Sequence, residues 1–264
     1  MRCIYLFTLV LCGMVLNGCC EEEDAGETDQ IISAYRVPNN RVYPYMVYFT
    51  KRNRLRQDMF MCSGTLVGPR KVLTAASCFE QFDSNTFQPS FFTPVARMNT
   101  EILSGPYTIS RNVIRVIKHP QYNPANAGNH DNIAVVTLDV EVLASSVTPV
   151  QLGYTSFPRI GIDQLVTVGW GYAGNTLSSY LFHGPLTLIQ DSSCRTVFGN
   201  VDNAYTICAA YTNVGACTFD VGSPILFNGK QIGVVGKNMR CGGSDPIVAV
   251  DVRAMATFIH PLLA

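Results

Sequence analysis

The sequence predicts an all-β fold, a barrel or a sandwich, on three observations. Short β-rich runs recur along most of the chain, Gly, Pro, Asn and Ser break them at regular intervals, and no helical segments alternate with them. The expected strands, in order, are Tyr45–Phe49, Cys62–Val67, Lys71–Ala75, Val113–Lys118, Ile133–Leu138, Leu165–Val168, Leu181–Ile189, Tyr205–Ala209, Pro224–Phe227, Gln231–Val235 and Ile247–Val252. Leu143–Leu152 reads as a connector between two halves, about 31–145 and 150–252. One helix is expected at the end, over residues 253–263, where Met255, Phe258 and Ile259 share a face. The 264 residues suffice for one large all-β domain or two small ones.

Composition narrows the function classes. Hydrophobic residues make up 47% and charged residues 14%, too apolar for a disordered chain. Lys plus Arg equals Asp plus Glu at 19 each, so no global field favours nucleic acid or an anionic membrane. Residues 1–20 read as a cleaved signal peptide: Arg2 precedes an apolar run from Cys3 to Val15, too short to span a bilayer, and small residues follow it. Glu21 to Gln30 is acidic and unpatterned, a pro-segment. Ten cysteines stand at 3, 12, 19, 20, 62, 78, 194, 208, 217 and 241. Cleavage after Cys20 leaves six, an even number suited to an oxidised extracellular domain, and cleavage after Gly18 leaves Cys19 and Cys20 as well. The cysteine spacings match no metal site, and neither metal nor cofactor is expected.

Five motifs then occur in a familiar order. Leu73-Thr74-Ala75-Ala76-Ser77-Cys78 resembles the Leu-Thr-Ala-Ala-His-Cys motif of chymotrypsin/trypsin-like serine proteases. Cys62-Ser63-Gly64-Thr65-Leu66-Val67 resembles the strand before it. Val168-Gly169-Trp170-Gly171 resembles their Gly-Trp-Gly turn, and Cys217 to Pro224 stands where they carry Cys-x-Gly-Asp-Ser-Gly-Gly-Pro. Ile31-Ile32-Ser33-Ala34 resembles the N-terminus that activation creates. The resemblance runs from Ile31 to the final helix. It implies a single trypsin-like domain over 31–264, built of two packed six-stranded antiparallel β-barrels with a cleft between them and a C-terminal helix. It also implies the disulfides Cys62–Cys78, Cys194–Cys208 and Cys217–Cys241.

Peptide hydrolysis by such a fold needs a serine hydroxyl, an imidazole to take its proton and a carboxylate to orient the imidazole. The resemblance places Val221 at the nucleophile, Ser77 at the base and Asn132 at the orienting position, with Asp131 displaced by one residue. On a strand that displacement turns the side chain to the other face. Phe219 replaces the oxyanion-hole glycine. Of the four histidines, at 119, 130, 183 and 260, only His130 lies close to Asn132 in sequence. The expectation is a chain without catalytic activity.

The specificity pocket is expected to be closed: Gly215 forms its floor, and Gly236, Lys237, Asn238 and Ile247 its walls, Ile247 projecting into the space a substrate needs. Activation is altered too. Gln30 stands where a basic residue would precede Ile31, although Asp220 remains where the family's aspartate receives the freed amine. Lys51, Arg52, Arg54 and Arg56 place four cations in six residues at a loop that, by the resemblance, rims the cleft. This loop is a candidate surface for a protein partner, weighed evenly against an ordinary solvated loop.

The expected function is therefore a secreted, extracellular serine-protease homologue that binds a protein partner as cofactor, decoy or regulator, of the kind familiar among secreted insect homologues in immune cascades or reproductive fluid. The alternatives are an active hydrolase with a rewired site, resting on Ser77 or His130, and a soluble carrier of a small ligand or glycan near Gly215 and Ile247.

Overall fold

A computed structural model of the chain describes residues 34–52, 57–80, 94–126, 131–155, 157–173, 176–199, 201–202, 204–211, 221–237 and 245–264. The strands are β1 (Tyr35–Arg36), β2 (Met46–Arg52), β3 (Asp58–Gly68), β4 (Lys71–Thr74), β5 (Pro94–Met98), β6 (Ile109–Lys118), β7 (Ala134–Leu138), β8 (Gln164–Gly169), β9 (Tyr172–Ala173), β10 (Thr176–Leu177), β11 (Phe182–Leu188), β12 (Thr206–Tyr211), β13 (Pro224–Phe227), β14 (Lys230–Lys237) and β15 (Ile247–Asp251). The helices are α1 (Asp191–Phe198) and α2 (Ala256–Leu263). Strands β2-β3-β4-β7-β6-β5 close the first barrel. The second follows the order β11-β12-β15-β14-β13-β8 and closes through the β8–β11 pairing, with β1 added outside β11. All these pairings are antiparallel, so closure removes the open edges that an isolated sheet would expose.

Local chemistry accounts for the less regular elements. In β6 the buried residues are Val113 and Val116, three apart, which strict alternation cannot place on one face. A register shift between Val113 and Arg115 absorbs the extra residue as a bulge. Strands β13 and β14 join through Asn228-Gly229, both at positive φ (50° and 72°), as a tight hairpin requires. Helix α1, which the periodicity does not predict, is short and polar. Asp191 sits in its first turn, Gly199 (φ 79°) ends it, and Cys194, its buried residue, is bonded to Cys208 on β12. The C-terminal helix starts at Ala256 rather than at Arg253, because the Arg253 backbone N–H donates to Asp251 Oδ1 at 2.8 Å and holds a turn there.

The two barrels share apolar and polar packing. One core cluster joins Phe49, Leu66, Leu73 and Ile133 of the first half to Val234, Val250 and Ile259 of the second. The fully buried Trp170 packs edge-on to Tyr48, with ring centroids 5.0 Å apart. Polar ties cross the same seam: Thr65 Oγ1 on β3 donates to Gln231 Oε1 on β14 at 2.6 Å, and Val150 N–H donates to Leu66 O at 2.9 Å.

Candidate functional site

The inter-barrel cleft is set by two adjacent strands of the first barrel. Thr74 pairs with Ala134 in the β4–β7 ladder, so the residues just after β4 and just before β7 emerge at the same end. A 3-10 turn over Ala76–Phe79 follows β4 and carries Ser77, half-buried. Ala75 and Ala76 are fully buried, and their small side chains let this turn pack flat against the core. The Cys62–Cys78 disulfide, with Cα atoms 5.9 Å apart, fastens the turn to β3.

Asn132 is fully buried and reaches Ser77 directly. Its Oδ1 accepts the Ser77 backbone N–H at 2.8 Å, while its Nδ2 donates to Ser77 Oγ at 3.1 Å and to the Gly236 carbonyl at 3.0 Å. This fixes the amide orientation: turned over, the NH2 would face an N–H and the oxygen would face a carbonyl. Gly236 lies on β14, so the same side chain spans the seam. Asp131 points elsewhere, placing Oδ1 3.1 Å from His119 Nδ1, and the His119 ring meets Phe258 of α2 edge-on. Asp131 and Asn132 thus point to different partners within a tight turn before β7, which the Ile133 N–H closes by donating to Asp131 O at 2.8 Å.

Val221 is half-buried and packs against the first core cluster. Its backbone carbonyl accepts the Ser63 N–H at 3.0 Å. Gly222 follows at φ 90° and donates to Val235 O at 2.8 Å, and Val235 N–H donates to Ser223 O at 2.8 Å. A Cβ at Gly222 would collide with the Ser63 carbonyl oxygen and Thr74 Oγ1, so the turn needs glycine both for its torsion and for its space.

Beside Ser77 lies a cavity of about 280 Å³, lined by Lys51, Phe60, Met61, Glu80 and the Cys62–Cys78 disulfide. Glu80 accepts the Tyr122 hydroxyl at 2.6 Å. Burial first, then the hydrogen bond to Glu80 and its charge, raise the Tyr122 phenol above its ordinary value. Lys51 brings the start of the basic loop to this cavity. The Arg52 side chain and residues Arg54 and Arg56 lie outside the described residues.

Of the pocket positions, Ile247 is 2% exposed and sits among Leu186, Ile207, Val235 and Ala249 in the core of the second barrel. Gly236 is buried, with its carbonyl engaged by Asn132. Gly215, Phe219, Asp220, Asn238, Ile31, His130, Cys217 and Cys241 lie outside the described residues, as does the Lys237 side chain. The other two expected disulfides, Cys62–Cys78 and Cys194–Cys208, are formed.

The three described histidines are all engaged elsewhere: His119 with Asp131, His183 Nδ1 with the Tyr43 hydroxyl at 2.7 Å, and His260 edge-on to Tyr154. Two relationships escaped the sequence reading. The Asn132–Gly236 bond joins positions 104 residues apart, which no local pattern signals. The His119–Asp131 pair had only Asp131, noted as displaced, to mark it.

Among the described residues, no cluster of three or more His, Cys, Asp or Glu is placed to hold a metal, and no helix is long and apolar enough to cross a membrane.

Comparisons with known proteins agree with this architecture. The family model described as Trypsin matches residues 31–259. Serine protease SP24D of Anopheles gambiae is 30% identical over 211 residues, covering 78% of this chain and 73% of that protein. A trypsin of Sus scrofa is 26% identical over 220 residues, covering 81% of this chain and 87% of its own length. In fold, the chain is similar to neuropsin, a serine protease expressed in the limbic system of mouse brain, with TM-score 0.72, 24% identity, and coverage of 87% of this chain and 98% of that one.

Proposed function

The chain belongs to the trypsin family, and from that premise we propose that it binds a protein partner in an extracellular fluid and does not cut peptide bonds. The observation that carries this reading is the chemistry at the three triad positions. Val221 offers no nucleophile. The Ser77 hydroxyl has no proton affinity near neutral pH, and its oxygen accepts a hydrogen bond from an amide. Asn132 can supply neither a negative charge nor a proton acceptor of carboxylate strength. Acyl transfer in this fold requires all three functions to act as a unit, so no single remaining group replaces them.

Two further features fit the proposal, one on the absence of turnover and one on the extracellular setting. Ile247 is packed into the second barrel's core, where the family's pocket wall would stand. The disulfides suit an oxidising compartment outside the cytosol, in keeping with secretion. The partner is proposed to meet the basic loop at Lys51, Arg52, Arg54 and Arg56, whose first residue borders the cavity beside Ser77.

The test uses purified, folded protein with a panel of peptide amides and an active-site-directed phosphonate. Neither turnover nor labelling is expected. Turnover that copurifies stoichiometrically with the chain and is lost on changing Ser77 would overturn the proposal in favour of a rewired hydrolase. Changing Arg52, Arg54 and Arg56 to Ala is expected to reduce partner capture from native fluid, and undiminished capture would remove the loop from the interface.

A further inference from the structure

Away from the cleft, the start of the described chain is held on the second barrel by an aromatic cluster. Strand β1 is only two residues long, and among the described residues its strand partner is β11, with Tyr35 opposite His183. The Val37 N–H then donates to Leu181 O at 2.8 Å. Two rings close on the His183 imidazole from different elements. Tyr35, from β1, lies edge-on with centroids 6.0 Å apart, and Tyr43, from the segment leading into β2 of the first barrel, lies edge-on at 5.5 Å. The Tyr43 hydroxyl is 2.7 Å from His183 Nδ1. One imidazole therefore ties together the N-terminal strand, the entry to the first barrel and a strand of the second.

We propose that the Tyr43–His183 contact is an acid-released latch, which holds the segment from Tyr35 to Val37 on the second barrel while the imidazole is neutral and loosens it on protonation. With the proton on Nε2, the tautomer the latch assigns, the neutral ring accepts the Tyr43 O–H at Nδ1. A protonated ring has donors at both nitrogens and no acceptor, so the Tyr43 hydroxyl must turn to present its lone pair. Among the described residues, no carboxylate forms an ion pair with the ring. The titratable groups facing the ring are the phenols of Tyr35 and Tyr43, and the residue opposite His183 on β8 is Val168. The charged neighbour on β1, Arg36, is itself a cation, lying over the Tyr180 ring.

Burial lowers the His183 imidazole below its ordinary value and raises the Tyr43 phenol, and both shifts favour the neutral pair. The sign follows from the lowered value. The latched state binds fewer protons than the released one, so the latch is fully held above the ordinary imidazole range. It weakens as pH falls from there through the folded value.

The experiment is hydrogen exchange of the full chain, corrected for intrinsic rates, from about pH 8 to about pH 5, on the parent and on His183→Gln, which keeps an acceptor but does not titrate. Protection of the Tyr35–Val37 amides in the parent is expected to fall as the pH drops, with a slope of at most about tenfold per pH unit, the limit for one proton. In His183→Gln it is expected to be independent of pH. Unchanged protection in the parent, or an equal fall in His183→Gln, would overturn the latch. Should His183→Gln not fold, Tyr43→Phe takes its place: it should already be poorly protected in this segment at about pH 8, and a profile matching the parent would refute the proposal.

Discussion

Asn132 grips Ser77 twice, taking its backbone N–H at 2.8 Å and giving an N–H to its hydroxyl at 3.1 Å, while the second amide hydrogen reaches Gly236 on the other barrel. An amide suits this set of partners and a carboxylate does not. In Asn132→Asp an oxygen would face the Gly236 carbonyl, and a buried charge would have no cation among these contacts. The variant should lose about 3 kcal/mol at neutral pH. Its buried carboxyl has a raised folded pKa, so the deficit should be smallest below the ordinary carboxylate value and grow as pH rises through the folded one. Urea unfolding of parent and variant at neutral and acidic pH checks this, and equal stability at neutral pH would contradict it.

Gly222→Ala should be more damaging than its size suggests. The position combines φ 90° with a path blocked by the Ser63 carbonyl and Thr74 Oγ1. A loss of about 3 kcal/mol or more is expected, because neither the torsion nor the backbone oxygen can be relieved locally. The unfolding midpoint and the yield of soluble protein report it.

Thr65 and Gln231 form a buried pair across the seam, and Gln231 Nε2 also donates to Gly233 O at 3.1 Å. Thr65→Val and Gln231→Leu should each cost about 1–3 kcal/mol, since each strands a buried polar partner. The double variant should lose less than their sum. A double-mutant cycle measured by denaturant unfolding gives the coupling, and strict additivity would mean that the pair contributes nothing as a pair.

Burial pushes the Tyr154 phenol up to about 12, and its hydroxyl finds no hydrogen-bond partner among the described residues. A raised folded pKa means the folded state holds its proton longer. This contribution to stability is complete below the ordinary tyrosine value and is lost as pH rises through about 12. Alkaline absorbance titration of the parent and Tyr154→Phe should show one phenol fewer in the late phase. An unchanged late phase would show that Tyr154 titrates normally.

Much of the architecture was legible because the strands are short apolar runs between clear breakers; most are buried continuously, as in β15, while β11 alternates. Pro224–Phe227 has the bounds expected for it, and Lys71–Ala75 differs from its strand by one residue. Strand β5 was missed. Val95 is its one β-branched residue, and Ala96, Arg97 and Met98 carry little strand signal. Helix α1 was missed because Asp, Ser and Thr dominate it, and it owes its place to the disulfide at Cys194 in addition to any amphipathic face. At the site, the identity of each residue was readable, but its partners were not. Asn132 differs from a catalytic aspartate by one group, and only the three-dimensional neighbours, Ser77 and Gly236, reveal what that group does.

Among the described residues, three bonds that shape the bend at Val221 run through main-chain atoms: Ser63 to Val221, Gly222 to Val235, and Val235 to Ser223. None depends on what residue 221 carries beyond its α-carbon. Form and reactivity are therefore separable inheritances at this corner. A substitution at 221 forfeits the apolar contact of its side chain with the first core cluster but none of these main-chain bonds.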